Sequence, residues 1–156
     1  MLSFDKYGFS KELLKSIEAL KFKKPTPIQD KVIPEILSSD VDIIATAQTG
    51  TGKTAAFGFP IIHLTDNREK NIECVILCPT RELCLQISKD LNMYSEYMKY
   101  YRIIPIYGGS KVETQIKGLK QNPKIIVCTP GRLNDLIKRR RVDLSFIKYF
   151  VLDEAD

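Results

Sequence analysis

The sequence has no tryptophan, one histidine and four cysteines among its 156 residues. The cysteines lie among apolar residues without CxxC spacing, and the one imidazole, His63, is remote from them in sequence. This pattern argues against a zinc site and favours buried, reduced thiols at Cys74, Cys78, Cys84 and Cys128. Reduced thiols are typical of a reducing compartment, so we predict a cytoplasmic protein.

Long hydrophobic runs are also absent. No segment approaches about 18 uninterrupted apolar residues, and the N-terminus has no apolar core of signal-peptide length. We therefore expect no membrane association. A chain of 156 residues suggests one domain, and 44% hydrophobic with 28% charged residues excludes an intrinsically disordered protein.

Net charge is low in the first two thirds of the chain. Residues 1–50 carry seven basic and seven acidic side chains, residues 51–100 carry six of each, and residues 101–156 carry eleven and six. The whole formal charge of +5 therefore lies in the last third. A basic zone favours a polyanionic partner, although a solvated charged face explains it equally well.

Short apolar runs rich in Val and Ile alternate with helical stretches along the chain. The runs predict buried parallel strands at Val41–Ala45, Ile72–Cys78, Arg102–Tyr107, Lys124–Cys128 and Tyr149–Leu152. This alternation predicts one α/β domain with a predominantly parallel sheet and helices on both faces. Because such sheets bind ligands outside the carboxyl ends of their strands, we expect the functional residues in the loops that follow them.

Several residues predict where helices begin. Ser10 is a candidate N-cap for Lys11–Leu20, and Thr26 for a helix whose first residue is Pro27. Ser110 with Glu113 has the spacing of a capping box. Thr129 followed by Pro130 is a further candidate helix start.

The segment Ala47–Thr54 follows the first predicted strand and reads AQTGTGKT. It matches the phosphate-binding loop, with Ala47 in place of the first glycine. Glycines let successive N–H groups face a phosphate, and the next helix adds its positive N-terminal end. We predict nucleotide binding, with Lys53 on the β- and γ-phosphates and Thr54 on Mg²⁺. The other loop residues are Gln48, Thr49, Gly50, Thr51 and Gly52.

The last predicted strand runs directly into Asp153-Glu154-Ala155-Asp156. An acidic residue at a strand end, in a chain with a phosphate-binding loop, is the Walker-B arrangement in which Asp153 holds Mg²⁺. Glu154 is then suited to orient and deprotonate a water for attack on the γ-phosphate. A solvated acidic terminus is the alternative.

With both motifs present, the sequence resembles the first RecA-like domain of a DEAD-box RNA helicase over essentially all 156 residues. The segment Phe22–Gln29 resembles the adenine-reading Q motif of that family, with Lys21 where glycine usually stands. The resemblance implies an ATP site that includes Thr26 and Gln29, and Gln29 has the donor and the acceptor that an adenine edge requires. It also assigns Phe22 and Phe4 to the adenine site, although either ring alone is more often a core residue.

The resemblance further implies three RNA-backbone loops on one sheet edge. They contain Pro79, Thr80 and Arg81, then Gly108 and Gly109, then Thr129, Pro130, Gly131 and Arg132. Helix N-termini and arginines suit phosphate contacts, and such contacts read no base edges, so we expect little sequence preference. Taken singly, each loop is better explained as a structural cap, whereas together on one sheet edge the loops favour the RNA-binding interpretation.

Nothing after Asp156 resembles the second RecA-like domain of the family. We therefore expect residues 1–156 to be RecA-like domain 1, incomplete at its C-terminal end, monomeric and nearly inactive alone. The prediction is an ATP-dependent RNA helicase that uses ATP and Mg²⁺. The alternatives are a nucleotide-dependent RNA-binding module without turnover and another P-loop enzyme such as a GTPase.

One basic run has no assigned role. Lys138-Arg139-Arg140-Arg141 is able to bind phosphate, but its predicted position at a helix C-terminus explains it equally through the helix dipole.

Overall fold

The computed structural model describes residues 3–155, so Asp156 lies outside the described residues. A 3-10 helix covers Ser3–Tyr7. The α-helices are α1 (Lys11–Ala19), α2 (Pro27–Ser38), α3 (Lys53–Leu64), α4 (Arg81–Tyr94), α5 (Val112–Leu119) and α6 (Pro130–Lys138). The strands are β1 (Cys74–Leu77), β2 (Ile103–Ile106), β3 (Ile125–Cys128) and β4 (Tyr149–Leu152). Within residues 3–155, no helix has the length and apolar character needed to span a bilayer.

The chain forms two compact units. The amino-terminal unit comprises residues 3–67 and 93–99, and therefore contains α1, α2 and α3. The sheet unit comprises residues 68–92 and 100–155, with all four strands, α5, α6 and most of α4.

An aromatic cluster forms the core of the amino-terminal unit. Phe59 of α3 lies at its centre, with ring centroids 4.7 Å from Tyr94, 5.4 Å from Phe22 and 5.7 Å from Phe4. All three pairs meet edge to face, the geometry that aromatic quadrupoles favour. The cluster holds the segment before α2 against α3.

Local capping chemistry sets the starts of α1 and α2, as the sequence predicts. The Ser10 hydroxyl oxygen accepts a hydrogen bond from the backbone N–H of Leu13. At α2, Thr26 and Gln29 form a complete capping box, and Pro27 is the first helical residue. Each cap satisfies backbone N–H groups that have no partner within the helix.

The turn after α1 places Lys21 in the left-handed region, with φ 62°. The N–H of Lys21 donates to the carbonyl of Glu18, and the N–H of Phe22 donates to that of Ile17. Glycine usually ends helices in this conformation because it has no Cβ to clash. Lys21 therefore adopts, at a cost in backbone strain, a conformation that glycine adopts without strain.

We expect Lys21→Gly to raise the free energy of unfolding by about 1 kcal/mol, since it removes the Cβ penalty of a left-handed residue. Urea denaturation of the 156-residue chain measures the change. Lys24→Gly is the matched control, because Lys24 is also exposed but is not among the positive-φ residues. A Lys21→Gly chain no more stable than the Lys24→Gly chain would contradict the strain argument.

The sheet is entirely parallel, with strand order β2-β3-β1-β4. Cys74 of β1 pairs with Ile125 of β3 on one side and with Tyr149 of β4 on the other. Helices α5 and α6 pack against one face through an apolar cluster that contains Val75, Ile106, Ile126, Cys128, Leu133 and Leu136. The α/β class and the parallel sheet are thus confirmed.

A buried carboxylate ties the amino ends of three strands together. Glu73, just before β1, is 1% exposed, and its side chain lies 3.1 Å from Nζ of Lys148 and 3.8 Å from Nζ of Lys124. Its carbonyl also accepts the backbone N–H groups of Lys148 and Tyr149. Because a buried charge is costly without partners, the position of Glu73 depends on these two lysines.

Two predictions about strands are wrong. Residues 41–45 form no strand, and Val41 and Ile44 are 63% and 96% exposed. An apolar run becomes a strand only where a neighbouring strand satisfies its backbone, and within residues 3–155 this run has no such partner. The strand at Tyr149–Leu152 exists but is not buried: Phe150 and Leu152, which lie on one face of β4, are more than half exposed.

The predicted cap at Ser110 is also wrong. Helix α5 begins one residue later, with Lys111 in the N-cap position and no side-chain cap. The Ser110 hydroxyl instead accepts a hydrogen bond from the side chain of Gln115. The helix start at Thr129 and Pro130 is confirmed, although the Thr129 side chain makes no capping hydrogen bond.

Candidate ATP and RNA sites

The predicted phosphate-binding loop lies in the amino-terminal unit and leads into α3, which begins at Lys53. Gly50 and Gly52 have φ of 81° and 87°, a left-handed backbone that glycine adopts without strain. The N-cap, Gly52, offers no side-chain acceptor to the first turn of α3. The helix dipole at this end favours negative charge, as a phosphate would supply.

The side chain of Gln29 connects the Q motif to this loop. Gln29 is fully buried; its Oε1 accepts from the N–H of Thr26 at 3.0 Å, and its Nε2 donates to the carbonyl of Gly52 at 3.2 Å. Each amide atom can form one more hydrogen bond, so the adenine contact predicted for Gln29 remains chemically possible. The hydrogen bond from Gln29 to Gly52 holds the N-cap residue of α3 in place.

Phe4 and Phe22 differ in their access to a ligand. Phe4 is fully buried and packs edge to face on Phe22, with centroids 6.4 Å apart. In this structure it is a core residue that supports Phe22. Phe22 is half-buried and retains an accessible part.

We expect Gly52→Ala to disrupt the phosphate-binding loop. A Cβ on Gly52 would overlap Nε2 of Gln29, and any side chain at φ 87° is strained by about 1–2 kcal/mol. Titration with a fluorescent ATP analogue should show affinity reduced at least ten-fold.

Gly50→Ala is the matched control for that experiment. Gly50 has a similar φ of 81°, but a Cβ there would meet no atom within 4 Å. We expect it to lose less affinity than Gly52→Ala. Equal losses would mean that backbone strain alone, and not the Gln29 contact, makes glycine necessary at position 52.

The three predicted RNA loops follow β1, β2 and β3 at the carboxyl edge of the sheet unit. The Thr80 hydroxyl accepts from the N–H of Leu83 and so caps α4, whose first residue is Arg81. The Arg81 guanidinium lies over the Tyr107 ring, 5.0 Å from its centroid, and next to Gly109. The residues predicted after β1 and β2 are thus brought together, with an exposed guanidinium between them.

A hydrogen-bond network connects the other two loops. Arg132 donates to Oε1 of Gln115 at 2.9 Å and to the carbonyl of Ser110 at 3.0 Å. Gln115 in turn donates to the carbonyl of Tyr107 and to the Ser110 hydroxyl. Arg132 therefore holds the Gly108-Gly109 turn in place. Sequence analysis missed Tyr107 and Gln115 and assigned Ser110 only to a helix cap, because a linear pattern does not show which side chains meet across loops.

The acidic motif follows β4 at the same edge. The N–H of Asp153 donates to the carbonyl of Leu77 of β1, which fixes the position of Asp153 beyond the strand. One oxygen of its carboxylate accepts the N–H of Glu154, and Glu154 has φ 53°. A non-glycine residue in this region is strained, and such strain concentrates at functional sites.

All four cysteines belong to the sheet unit. All four are buried and free of disulfides, as predicted. The Cys84 thiol donates to the carbonyl of Val127 at 2.9 Å, and burial raises the pKa values of the Cys74 and Cys128 thiols. Among the residues from 3 to 155, no three His, Cys, Asp or Glu side chains form a group able to hold a metal.

A glycine loop that opens a helix, a parallel sheet with its functional loops at the carboxyl edge, and a strand that ends in Asp-Glu define an α/β P-loop nucleotide-binding protein. Residues 26–156 match the family model described as DEAD/DEAH box helicase. The chain therefore belongs to the DEAD/DEAH box helicase family.

Named relatives agree with this assignment. The chain is 47% identical over 156 residues to the ATP-dependent RNA helicase CshA of Listeria monocytogenes, and 45% identical to that of Bacillus cereus ATCC 10987. Each match covers the whole of this chain but only 30% and 29%, respectively, of the relative's length. Among solved structures it is similar to a DEAD box protein from Methanococcus jannaschii, with TM-score 0.91, 43% identity, and coverage of 100% of this chain and 42% of that one. A hypothetical ATP-dependent RNA helicase from Sulfolobus tokodaii matches 94% of this chain and 42% of that one, with TM-score 0.85 and 34% identity.

Proposed function

We propose that this chain is the ATP-binding part of an ATP-dependent RNA helicase, in which ATP hydrolysis is coupled to clamping and local unwinding of RNA. The observation that carries the proposal is the loop from Gly50 to Lys53, with two left-handed glycines and an uncapped start of α3. Family membership and the relatives' names support RNA as the second ligand.

In this proposal the amino-terminal unit binds the nucleotide. Residues 48–54 hold the phosphates, with Lys53 on the β- and γ-phosphates, and Thr26, Gln29 and Phe22 hold the adenine. The pairing of donor and acceptor on Gln29 supports adenine over guanine. Phe4 acts only by supporting Phe22.

The hydroxyl of Thr54 and the carboxylate of Asp153 are the proposed Mg²⁺ ligands, since both are oxygen donors of the kind that Mg²⁺ prefers. When bound, the cation neutralises charge that develops on the phosphates. Glu154 orients the attacking water and accepts its proton.

The carboxyl edge of the sheet unit is the proposed RNA surface. Its members are Pro79, Thr80, Arg81, Gly108, Gly109, Thr129, Pro130, Gly131 and Arg132. Arg81 is the exposed cation among them, while Arg132 positions the loops through Gln115 and Ser110. We propose that these groups contact the RNA backbone and read little sequence.

A second RecA-like domain of the same protein would complete the site, because this chain spans only about a third of its relatives. In related phosphoryl transfers an arginine supplied by another domain accelerates turnover by about 10³–10⁵. We propose that the chain alone is monomeric and nearly inactive, and that the whole protein is cytoplasmic.

The test is ATP hydrolysis with and without single-stranded RNA, for this chain and for the protein extended through the second domain. RNA-stimulated turnover only in the extended protein supports the helicase. Absence of turnover in both, with ATP-dependent retention of RNA, would instead identify a binding module without turnover.

A further inference from the structure

A cavity of about 380 Å³ opens in the sheet unit at the amino ends of the strands, away from the edge that carries the RNA loops. Its walls come from the segments before β1, β3 and β4 and from the end of α5. The floor is aliphatic: Ile72 and Pro123 are buried, and Leu119 and Val142 are half-buried. We call this cavity the basic pocket because of the residues at its rim.

Four exposed cations surround the floor: Lys70, Lys120, Arg140 and Arg141. Within residues 3–155, no carboxylate oxygen lies within 4.0 Å of a side-chain nitrogen of these four residues, so none of them forms an ion pair. The lining therefore carries four positive charges that form no ion pair within the described residues.

One carboxylate lies at the pocket itself. Among residues 3–155, Asp143 is the only acid that lines the pocket, and it accepts hydrogen bonds from the backbone N–H and the hydroxyl of Ser145. These bonds hold the pKa of the Asp143 carboxyl below its ordinary value, so the carboxylate keeps its charge, and four cations with one carboxylate leave the lining a net charge of +3. Glu73 lies between Lys124 and Lys148. The net positive charge of the lining favours an external anion.

Backbone turns position two sides of the rim. Arg140 and Asn122 have φ of 54° and 56°, which is unfavourable for residues with a Cβ. The N–H groups of Arg140 and Arg141 donate to carbonyls of the last turn of α6, so both arginines follow a fixed turn. The helix dipole explains a cation at the end of α5 or α6, but it does not explain Lys70, which precedes β1.

We propose that the basic pocket binds an acidic peptide segment of a partner protein, with one apolar side chain on the aliphatic floor and flanking carboxylates on the four cations. The floor favours a peptide over RNA, because a phosphate gains nothing from aliphatic side chains. Among residues 3–155, Phe146 is the only aromatic residue that lines the pocket, whereas successive RNA bases bind by stacking on several aromatic rings.

The position of the pocket separates it from the RNA loops. Strands of four residues place the two edges of the sheet about 13 Å apart, so a peptide in the basic pocket leaves the carboxyl edge open. The proposal does not depend on the helicase function.

The test measures fluorescence anisotropy of a dye-labelled seven-residue peptide with leucine at its centre and aspartate or glutamate at the other six positions. We expect saturable, salt-sensitive binding to the 156-residue chain, weakened at least ten-fold by the double variant Arg140→Glu, Arg141→Glu. A peptide with glycine in place of leucine should bind at least five-fold more weakly.

Lys89→Glu with Lys99→Glu is the matched control, since it reverses two exposed charges outside the pocket. It should retain most of the affinity. Lys70→Glu with Lys120→Glu provides a second pocket variant if the first fails to fold, as judged by thermal melting.

Three results would overturn the proposal. The first is no binding of the leucine peptide at millimolar concentration and low salt. The second is equal loss of binding in the pocket and control variants. The third concerns a ten-residue oligouridylate. If Arg140→Glu, Arg141→Glu lowers the affinity for this RNA by a larger factor than the affinity for the peptide, the pocket is an RNA site.

Discussion

Replacing Glu154 by glutamine should abolish ATP hydrolysis while ATP binding persists, in a protein that carries this chain together with the second RecA-like domain. Glutamine has nearly the same shape but cannot accept a proton from the attacking water. Loss of a general base costs about 10²–10⁴ in rate. Steady-state phosphate release gives the rate, and titration with a fluorescent ATP analogue gives the affinity.

Glu113→Gln is the matched control for this variant, since Glu113 is an exposed glutamate of the same sheet unit in the first turn of α5. It should hydrolyse ATP at the normal rate. Normal turnover in Glu154→Gln would remove Glu154 as the proposed base. Parallel loss of ATP binding would show instead that Glu154 holds the nucleotide or its cation.

The second large effect concerns stability. We expect Glu73→Ala to lower the free energy of unfolding of the 156-residue chain by about 3–5 kcal/mol, the usual cost of removing one partner from a buried ion pair. Lys124 is only 5% exposed, and its ammonium group lies 3.8 Å from the Glu73 carboxylate. Urea denaturation followed by circular dichroism measures the loss.

Two further variants separate the ion pair from general effects. Glu96→Ala removes an exposed glutamate and should change stability by less than about 0.5 kcal/mol. Lys148→Met should cost less than Glu73→Ala, because the Lys148 side chain is 55% exposed and its loss leaves Lys124 beside Glu73. If Glu73→Ala were as mild as Glu96→Ala, the carboxylate would not be what ties the strand ends together.

The features that could be predicted from sequence are those whose physical cause is local. Helix α3 starts at Lys53 because the glycines before it adopt left-handed conformations, and α2 starts at Pro27 because Thr26 and Gln29 cap it. In these cases the chemistry lies within about four residues. The placement of the RNA loops on one edge followed from the rule that parallel strands share their carboxyl ends.

The features that the sequence predicted wrongly depend on residues that are distant in sequence. Val41–Ala45 has the composition of a strand, but composition does not supply a neighbouring strand. Ser110 has the spacing of a capping box, yet Gln115 and Arg132 engage it instead. In the first case the non-local partner is missing from the described residues, and in the second case non-local hydrogen bonds replace the local cap.

The sequence by itself determined the α/β class, the starts of α1, α2, α3 and α6, the glycine loop before α3 and the acidic strand end, because each depends on residue types at short, fixed spacings. Only the tertiary structure showed that Gln29 is bonded to Gly52, that Arg132 holds the loops at the carboxyl edge, and that four cations of the last two thirds of the chain surround one aliphatic pocket. Of the basic residues in the last third, folding places Lys120, Arg140 and Arg141 at the basic pocket and Arg132 at the carboxyl edge of the sheet. A linear count of charge carries no information about which side chains meet in space.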